Sequence, residues 1–152
     1  MLKLKNVDES IEFFCNLIGY QFPESEDDDW CLLSVSVHQK QESCELIDPA
    51  LETTELIMLL RWFSSLSEGR LPRYSHLTFT EPCISFEFLA FKDSIVRIGI
   101  HLSHELKPNF SMYQFCEYSD DWCIIFELDY SSLVNIANNI RSVLERYPVR
   151  GS

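Results

Sequence analysis

Basic residues are scarce in this chain of 152 amino acids. It has 12 lysines and arginines against 24 aspartates and glutamates, which gives a formal charge of −12 at pH 7 with neutral histidines. A protein that binds nucleic acid through phosphate contacts needs an excess of positive charge, so the composition excludes direct binding of DNA or RNA as the expected function. A surface of this charge favours a basic partner instead.

Glycine is also scarce, with four residues, and the short motifs of common enzymes are absent. The chain contains no G-x-G-x-x-G, P-loop, G-x-S-x-G or H-E-x-x-H sequence. Glu81 and Glu87 could form an acid/base pair, but no nucleophile, oxyanion donor or metal ligand accompanies them. A turn residue and a solvent-facing strand residue are the simpler interpretation, so no enzyme, cofactor or metal site is predicted.

Long apolar runs are missing as well. Charged residues interrupt the first residues of the chain, where a signal peptide would need an unbroken apolar stretch. No later run approaches the ~18 apolar residues of a membrane span. These features predict a cytoplasmic protein.

The six cysteines are dispersed, and none forms a C-x-x-C pair. An even number would suggest disulfides in a small secreted protein, but the length and the predicted compartment favour reduced thiols. Four cysteines lie in or beside strand-like segments, where a free thiol packs as a small hydrophobic group. They are Cys31, Cys83, Cys116 and Cys123.

Hydrophobic residues make up 46% of the chain and aromatic residues 13%, which is enough for the core of one domain over residues 1–152. Alternation of apolar and polar side chains predicts strands, and two segments have helical periodicity. The strand-like segments are 2–5, 11–18, 31–38, 43–47, 84–88, 96–102 and 124–129. The helical segments, about 49–67 and about 131–147, complete a predicted α+β fold that is mainly antiparallel sheet, covered on one side.

The first helix is predicted to begin at a cap formed by Asp48 and Pro49. Ile57, Met58 and Trp62 widen its apolar surface beyond a single stripe. Such a helix is either well buried or part of an interface, so a homodimer stays open.

A short internal repeat is also present. Residues 28–31 and residues 120–123 have the same sequence, Asp-Asp-Trp-Cys, and each copy leads into a predicted strand. A match of only four residues does not establish that the fold arose by duplication.

The most unusual local feature is a run of carboxylates immediately before Trp30. It contains Glu24, Glu26, Asp27, Asp28 and Asp29. A run of like charges is usually a solvated loop, but a concentrated negative field also accelerates encounter with a basic partner and orients it. We predict these five residues as partner-binding residues, with a second, weaker patch at Glu117, Asp120 and Asp121.

Four short stretches of the chain form a recognisable set in their order and spacing. The first is Gly-Tyr-Gln-Phe-Pro at 19–23, which continues through acidic residues to Asp29 and Trp30. The others are 55–63, Phe-Thr-Glu-Pro-Cys-Ile-Ser-Phe-Glu at 79–87, and Tyr-Pro-Val-Arg at 147–150. Together they resemble the WapI family of immunity proteins, which are partners of wall-associated polymorphic toxins in contact-dependent bacterial competition.

The resemblance implies a cytosolic, non-catalytic protein that binds the toxic C-terminal domain of an effector, with a nuclease as the expected toxin. Many nucleases have basic substrate clefts, which an acidic inhibitor can cover. The alternative from the residues is an acidic protein-interaction module or a nucleic-acid mimic directed at another basic protein.

Overall fold

The computed structural model describes residues 1–110 and 122–151. Within them, eight antiparallel strands form two sheets, and each sheet is followed along the chain by one α-helix. The predicted α+β fold with mainly antiparallel sheet and two helices is confirmed. The division of the strands into two sheets was not predicted, because alternation identifies the buried face of a strand and not its neighbours.

The first sheet has the order β1-β2-β3-β4. Its strands are β1 (Leu2–Lys5), β2 (Ile11–Tyr20), β3 (Trp30–Gln39) and β4 (Glu42–Glu52). They are joined as successive hairpins, and the β3–β4 turn has Lys40 in the left-handed region at φ 52°. A two-residue turn of this kind matches the twist of the strands that it joins.

Helix α1 (Thr53–Ser67) follows β4 directly, and it begins four residues later than predicted. Asp48 and Pro49 do not cap it, because β4 continues to Glu52, which pairs with Trp30 of β3. Since β4 is the edge strand of its sheet, it tolerates a proline. The N-cap is instead Glu52, and Glu55 at the third helical position completes a capping box by accepting a hydrogen bond from the backbone N–H of Glu52 at 3.1 Å.

The second sheet repeats the same topology with the order β5-β6-β7-β8. Its strands are β5 (His76–Leu77), β6 (Ile84–Lys92), β7 (Ile95–Leu102) and β8 (Trp122–Asp129), and a 3-10 turn (His104–Leu106) follows β7. Helix α2 (Tyr130–Arg146) lies within one residue of its predicted bounds. Its N-cap is Asp129, whose side chain accepts from the N–H of Ser132 at 2.7 Å.

The repeated topology is not aligned with the repeated tetrapeptide. Trp30 begins the third strand of the first sheet, whereas Trp122 begins the fourth strand of the second sheet. The two Asp-Asp-Trp-Cys copies therefore lie at non-equivalent positions, and they do not mark a duplicated unit.

One cluster of buried side chains joins both sheets and both helices. Phe13 of β2 lies 5.9 Å from Phe126 of β8, measured between ring centroids. From α1, Trp62 and Phe63 lie 6.0 and 5.8 Å from the ring of Phe86 on β6. The apolar faces of the two sheets and of α1 thus meet in a common interior, which gives the surface loops a rigid support. Neither helix of the described residues is long and apolar enough to cross a membrane.

Candidate functional site

The carboxylate run forms the connection between β2 and β3. The N–H of Gln21 donates to the carbonyl of Trp30 at 2.7 Å and closes the base of this loop. Glu24, Glu26 and Asp27 are exposed at its outer side. We call residues 21–29 the acidic loop.

The last two carboxylates of the loop lie closer to the protein. Asp28 is half-buried, and its Oδ1 accepts from the N–H of Trp30 at 2.9 Å. Asp29 is only 7% exposed, and the hydroxyl of Thr53 donates to its Oδ1. The acidic loop therefore contains outward-facing and inward-facing carboxylates.

Asp29 links the acidic loop to two distant segments. The N–H of Thr54, at the start of α1, donates to Asp29 Oδ2 at 3.4 Å, and the N–H of Arg150 donates to Oδ1 at 2.8 Å. The carbonyl of Asp29 also accepts from the N–H of Thr53 at 3.3 Å. A negative side chain at the positive end of a helix is favourable, so Asp29 both caps α1 and holds the chain terminus.

Arg150 holds the acidic loop from the other side. Its guanidinium donates to three backbone carbonyls, those of Phe22 at 3.1 Å, Pro23 at 3.0 Å and Ser25 at 2.7 Å. Because the donors are used on carbonyl oxygens, this arginine fixes the backbone without pairing with the outward-facing carboxylates. The loop is rigid and its negative charge stays available to solvent.

Aromatic contacts hold Arg150 and the preceding residues in place. The guanidinium carbon of Arg150 lies 3.4 Å from the ring centroid of Tyr20, within the range of a cation–π interaction. The hydroxyl of Tyr20 donates to the carbonyl of Pro148, and that of Tyr147 donates to the carbonyl of Ile18 at 3.0 Å. The two tyrosine rings meet edge to face at 5.4 Å. The terminal segment is thereby fastened along the end of β2.

Gly151 follows with a backbone conformation that suits glycine. Its φ is +85°, in the left-handed region that residues with a side chain rarely adopt. A Cβ added here would also lie 3.4 Å from the carbonyl oxygen of Asp27. This position lets the terminus pass close beneath the acidic loop.

The concentration of negative charge reaches the start of α1. Burial raises the pKa of the Glu52 carboxyl above its ordinary value, and the charges of Glu55 and Asp29 raise it further. A negative potential thus surrounds the base of the acidic loop as well as its outer side.

The second predicted patch cannot be placed in the same way. Glu117, Asp120 and Asp121 lie outside the described residues, and so does Cys116. The five described cysteines form no disulfide with one another, and Cys15, Cys31, Cys83 and Cys123 are buried.

The proposed acid/base carboxylates have other partners. Glu87 lies on β6, where its Oε2 is 2.7 Å from Nε2 of His101. The same nitrogen lies 3.7 Å from the Sγ of Cys123. A histidine that acts as a catalytic base is oriented through one ring nitrogen and activates its target group through the other. In His101 both contacts fall on the same nitrogen, Nε2. Glu81 lies in the turn before β6, as the simpler interpretation predicted.

Among the described residues, three potential metal ligands converge on Cys83. The side-chain ligand atoms of Asp48, Cys83 and Glu105 lie within 4.8 Å of one another. The Sγ of Cys83 lies within hydrogen-bond distance of Glu105 at 3.1 Å and of Asp48 at 3.6 Å, and its single proton is donated to one of them at a time. Burial, followed by the hydrogen bond to Glu105, raises the pKa of the Cys83 thiol to about 12. In the described residues the thiol and the two carboxylates are joined by hydrogen bonds.

An exposed loop with outward-facing carboxylates suits the class of protein that acts by binding a basic partner protein. A comparison of the sequence with known protein families identifies the family within this class. The chain matches the Immunity protein WapI-like family over residues 3–148, and it belongs to that family. No curated protein and no solved structure matches it. Membership of this family supports the role of an immunity protein, which implies binding a cognate toxin protein.

The four motifs of the family resemblance meet in pairs. The first and the last, 19–30 and 147–150, form the contacts of Tyr20, Asp29 and Arg150 described above. The second and third meet where the N–H of Thr80 donates to Glu55 Oε2 at 2.7 Å. These motifs therefore build the scaffold that supports the acidic loop.

Replacing Arg150 with glutamine should loosen the acidic loop. The variant loses the guanidinium that holds three carbonyls and covers Tyr20, so we expect about 1–3 kcal/mol less stability. Hydrogen exchange at the amides of residues 22–28 should become several-fold faster, and mass spectrometry measures both that rate and, with denaturant, the stability.

The matched control is Arg146→Gln, because Arg146 lies over a tyrosine ring but is bonded to no carbonyl of the loop among the described contacts. Unchanged exchange in Arg150→Gln, or equal acceleration in both variants, would contradict the role assigned to Arg150.

Proposed function

We propose that this protein is a cytosolic immunity protein that binds the toxic domain of a contact-dependent toxin and neutralises it by stoichiometric association. The observation that carries this proposal is the acidic loop, held rigid by Arg150 while its outer carboxylates face solvent. We propose residues 1–152 as one immunity-type domain without catalytic activity, cofactor or metal.

Electrostatic attraction is the proposed source of fast association. The chain carries a net charge of −12, and Glu24, Glu26 and Asp27 place part of it on one exposed loop. Complementary charge raises association rate constants from the neutral range of about 10⁵–10⁶ M⁻¹s⁻¹ toward 10⁸–10⁹ M⁻¹s⁻¹ at low salt. A toxin with a basic cleft, as in a nuclease, is the partner that this surface fits.

Rigidity adds to the effect of charge. A loop that is already held in one conformation loses little conformational entropy when a partner binds, so more of the interaction energy becomes affinity. Asp29 is proposed to act through this rigidity, because its carboxylate is engaged with Thr53 and Arg150 inside the protein. Asp28 is proposed to contribute charge from its half-buried position.

Phe22 is the proposed apolar anchor of the same surface, and the sequence analysis did not identify it. Its side chain is 53% exposed although it is large and aromatic. It borders a shallow surface cavity of about 490 Å³ together with Pro23, Glu24 and Ser25. Aromatic side chains at the centre of an interface often account for much of its affinity.

A one-to-one complex is proposed for the inhibitor and its toxin. The homodimer stays an open alternative, because Trp62 of the wide apolar surface of α1 is buried but Ile57 is only half-buried and Met58 is 37% exposed. Leu56, Leu59, Trp62, Phe63 and Leu66 of α1 are all buried. Glu117, Asp120 and Asp121 remain a proposed second contact patch.

Co-expression tests the proposed function directly. The toxin domain encoded beside this chain should arrest growth when it is expressed alone, and this protein should restore growth and purify with the toxin as a complex. Binding to an unrelated basic protein with no protection from the adjacent toxin would instead favour the acidic interaction module or nucleic-acid mimic.

Reversing the three outward-facing carboxylates should slow association. In the variant Glu24→Lys/Glu26→Lys/Asp27→Lys we expect the association rate constant at low salt to fall at least tenfold, because the local field changes sign. Its dependence on salt should become flatter. Stopped-flow measurements with the toxin domain across a salt series give both quantities.

The control is Glu42→Lys/Glu45→Lys/Glu145→Lys, which changes the net charge equally at exposed positions on β4 and α2. If both triple variants slow association by the same factor, total charge and not the acidic loop governs encounter.

Replacing Phe22 with alanine should act on the complex after encounter. We expect the dissociation rate constant to rise at least tenfold with little change in the association rate constant, since an apolar anchor adds short-range contacts. Leu71→Ala, which removes a side chain that is 70% exposed, is the control. Equal dissociation rates in the wild type and in Phe22→Ala would remove Phe22 from the interface.

A further inference from the structure

A second concave surface has the opposite character to the acidic loop. It lies between α1 and the segment that follows it, at residues 73–77, and encloses a cavity of about 350 Å³. Its lining includes two arginines and four large apolar or aromatic side chains: Arg61, Arg73, Met58, Trp62, Tyr74 and Leu77.

The floor of this cavity is fixed. Trp62 is 3% exposed, and its indole N–H donates to the carbonyl of Tyr74 at 2.9 Å, which ties the wall of the cavity to the helix. Met58 and Tyr74 remain exposed, by 37% and 48%. The cavity therefore offers a preformed apolar surface at its floor and rim, as small binding sites usually do.

The two arginines give the cavity a positive charge that the described part of the chain does not neutralise. Arg70 pairs with Glu68 and Arg97 with Glu127, but no carboxylate of the described residues lies within ion-pair distance of Arg61 or Arg73. The contact of Arg73 is with an aromatic ring, its guanidinium lying 5.3 Å from the centroid of Tyr74. Both arginines are exposed, so the charge of this cavity is opposite in sign to the net charge of the chain.

We infer that this cavity binds an acidic peptide segment of another protein, in which a carboxylate lies next to an apolar side chain. The guanidinium groups of Arg61 and Arg73 would receive the carboxylate, since the planar donors of arginine match its two oxygens. The apolar side chain would pack on Trp62 and Tyr74. A cavity of about 350 Å³ is near the lower limit for small-molecule sites and accommodates one or two side chains. This inference does not rest on the proposed toxin or on the acidic loop, because the charge that it requires of the ligand is opposite.

The test uses the ¹⁵N-labelled full chain and the peptide acetyl-Asp-Leu-Phe-Glu-amide. The indole N–H signal of Trp62 reports on the floor of the cavity and is followed through a titration. We expect a saturable shift of that signal, and at least tenfold weaker binding by the variant Arg61→Gln/Arg73→Gln. The neutral peptide acetyl-Asn-Leu-Phe-Gln-amide should also bind at least tenfold more weakly.

Lys92→Gln/Lys107→Gln is the matched control, because it removes two exposed positive charges outside the cavity, and it should bind the acidic peptide as the wild type does. Inorganic phosphate should leave the Trp62 signal in place. The inference is overturned if Trp62 does not respond to the acidic peptide, if the neutral peptide or phosphate gives an equal response, or if the arginine variant binds like the control. Co-expression with the toxin reports separately on the proposed function.

Discussion

The contact between Asp29 and the terminal Arg150 joins three segments that are far apart in the sequence. Asp29 accepts hydrogen bonds from the start of α1 and from the backbone of Arg150, while the guanidinium of Arg150 holds the carbonyls of the acidic loop. A buried carboxylate is costly unless hydrogen bonds satisfy it. Those bonds can form only when the loop, the helix and the terminus are all in place, so this contact makes their positions interdependent.

The carboxylates of the acidic loop are therefore divided between two tasks. The carboxylate of Asp29 is buried, and hydrogen-bond donors of the chain take the place of water around it. Glu24, Glu26 and Asp27 face solvent. Like charges on a flexible loop would repel one another and spread the segment, but the three carbonyl contacts of Arg150 oppose that repulsion. Rigidity and charge together are the physical basis of the toxin binding that we propose for this surface.

The periodicity of the sequence predicts the elements well and their arrangement poorly. Cys31, Leu33, Val35 and Val37 alternate with polar residues, and all four are buried on one face of β3. Nothing in such a pattern tells which strands are neighbours, so the separation into two sheets was missed. The start of α1 was placed too early because Asp48 and Pro49 have the residue types of a cap, and tertiary pairing of β4 with β3 overrides that local preference.

At the candidate site, too, the sequence predicts the local feature but not the distant residues that contact it. The run of carboxylates was visible in the sequence, but the residue that organises it is a cation more than a hundred positions away. The motif at 147–150 contains Arg150, and it was the feature of the sequence from which this organising residue could have been identified. Composition gave no indication that Phe22 is exposed, because a large aromatic side chain is expected in the core.

Hydrogen exchange of the chain, alone and saturated with the toxin domain, tests the central claim that the rigid acidic loop is the surface that binds the partner. The account predicts that complex formation slows exchange most strongly at residues 22–28, with little change at residues 84–92 of β6. Protection concentrated on another surface, with the exchange of residues 22–28 unchanged, would contradict it.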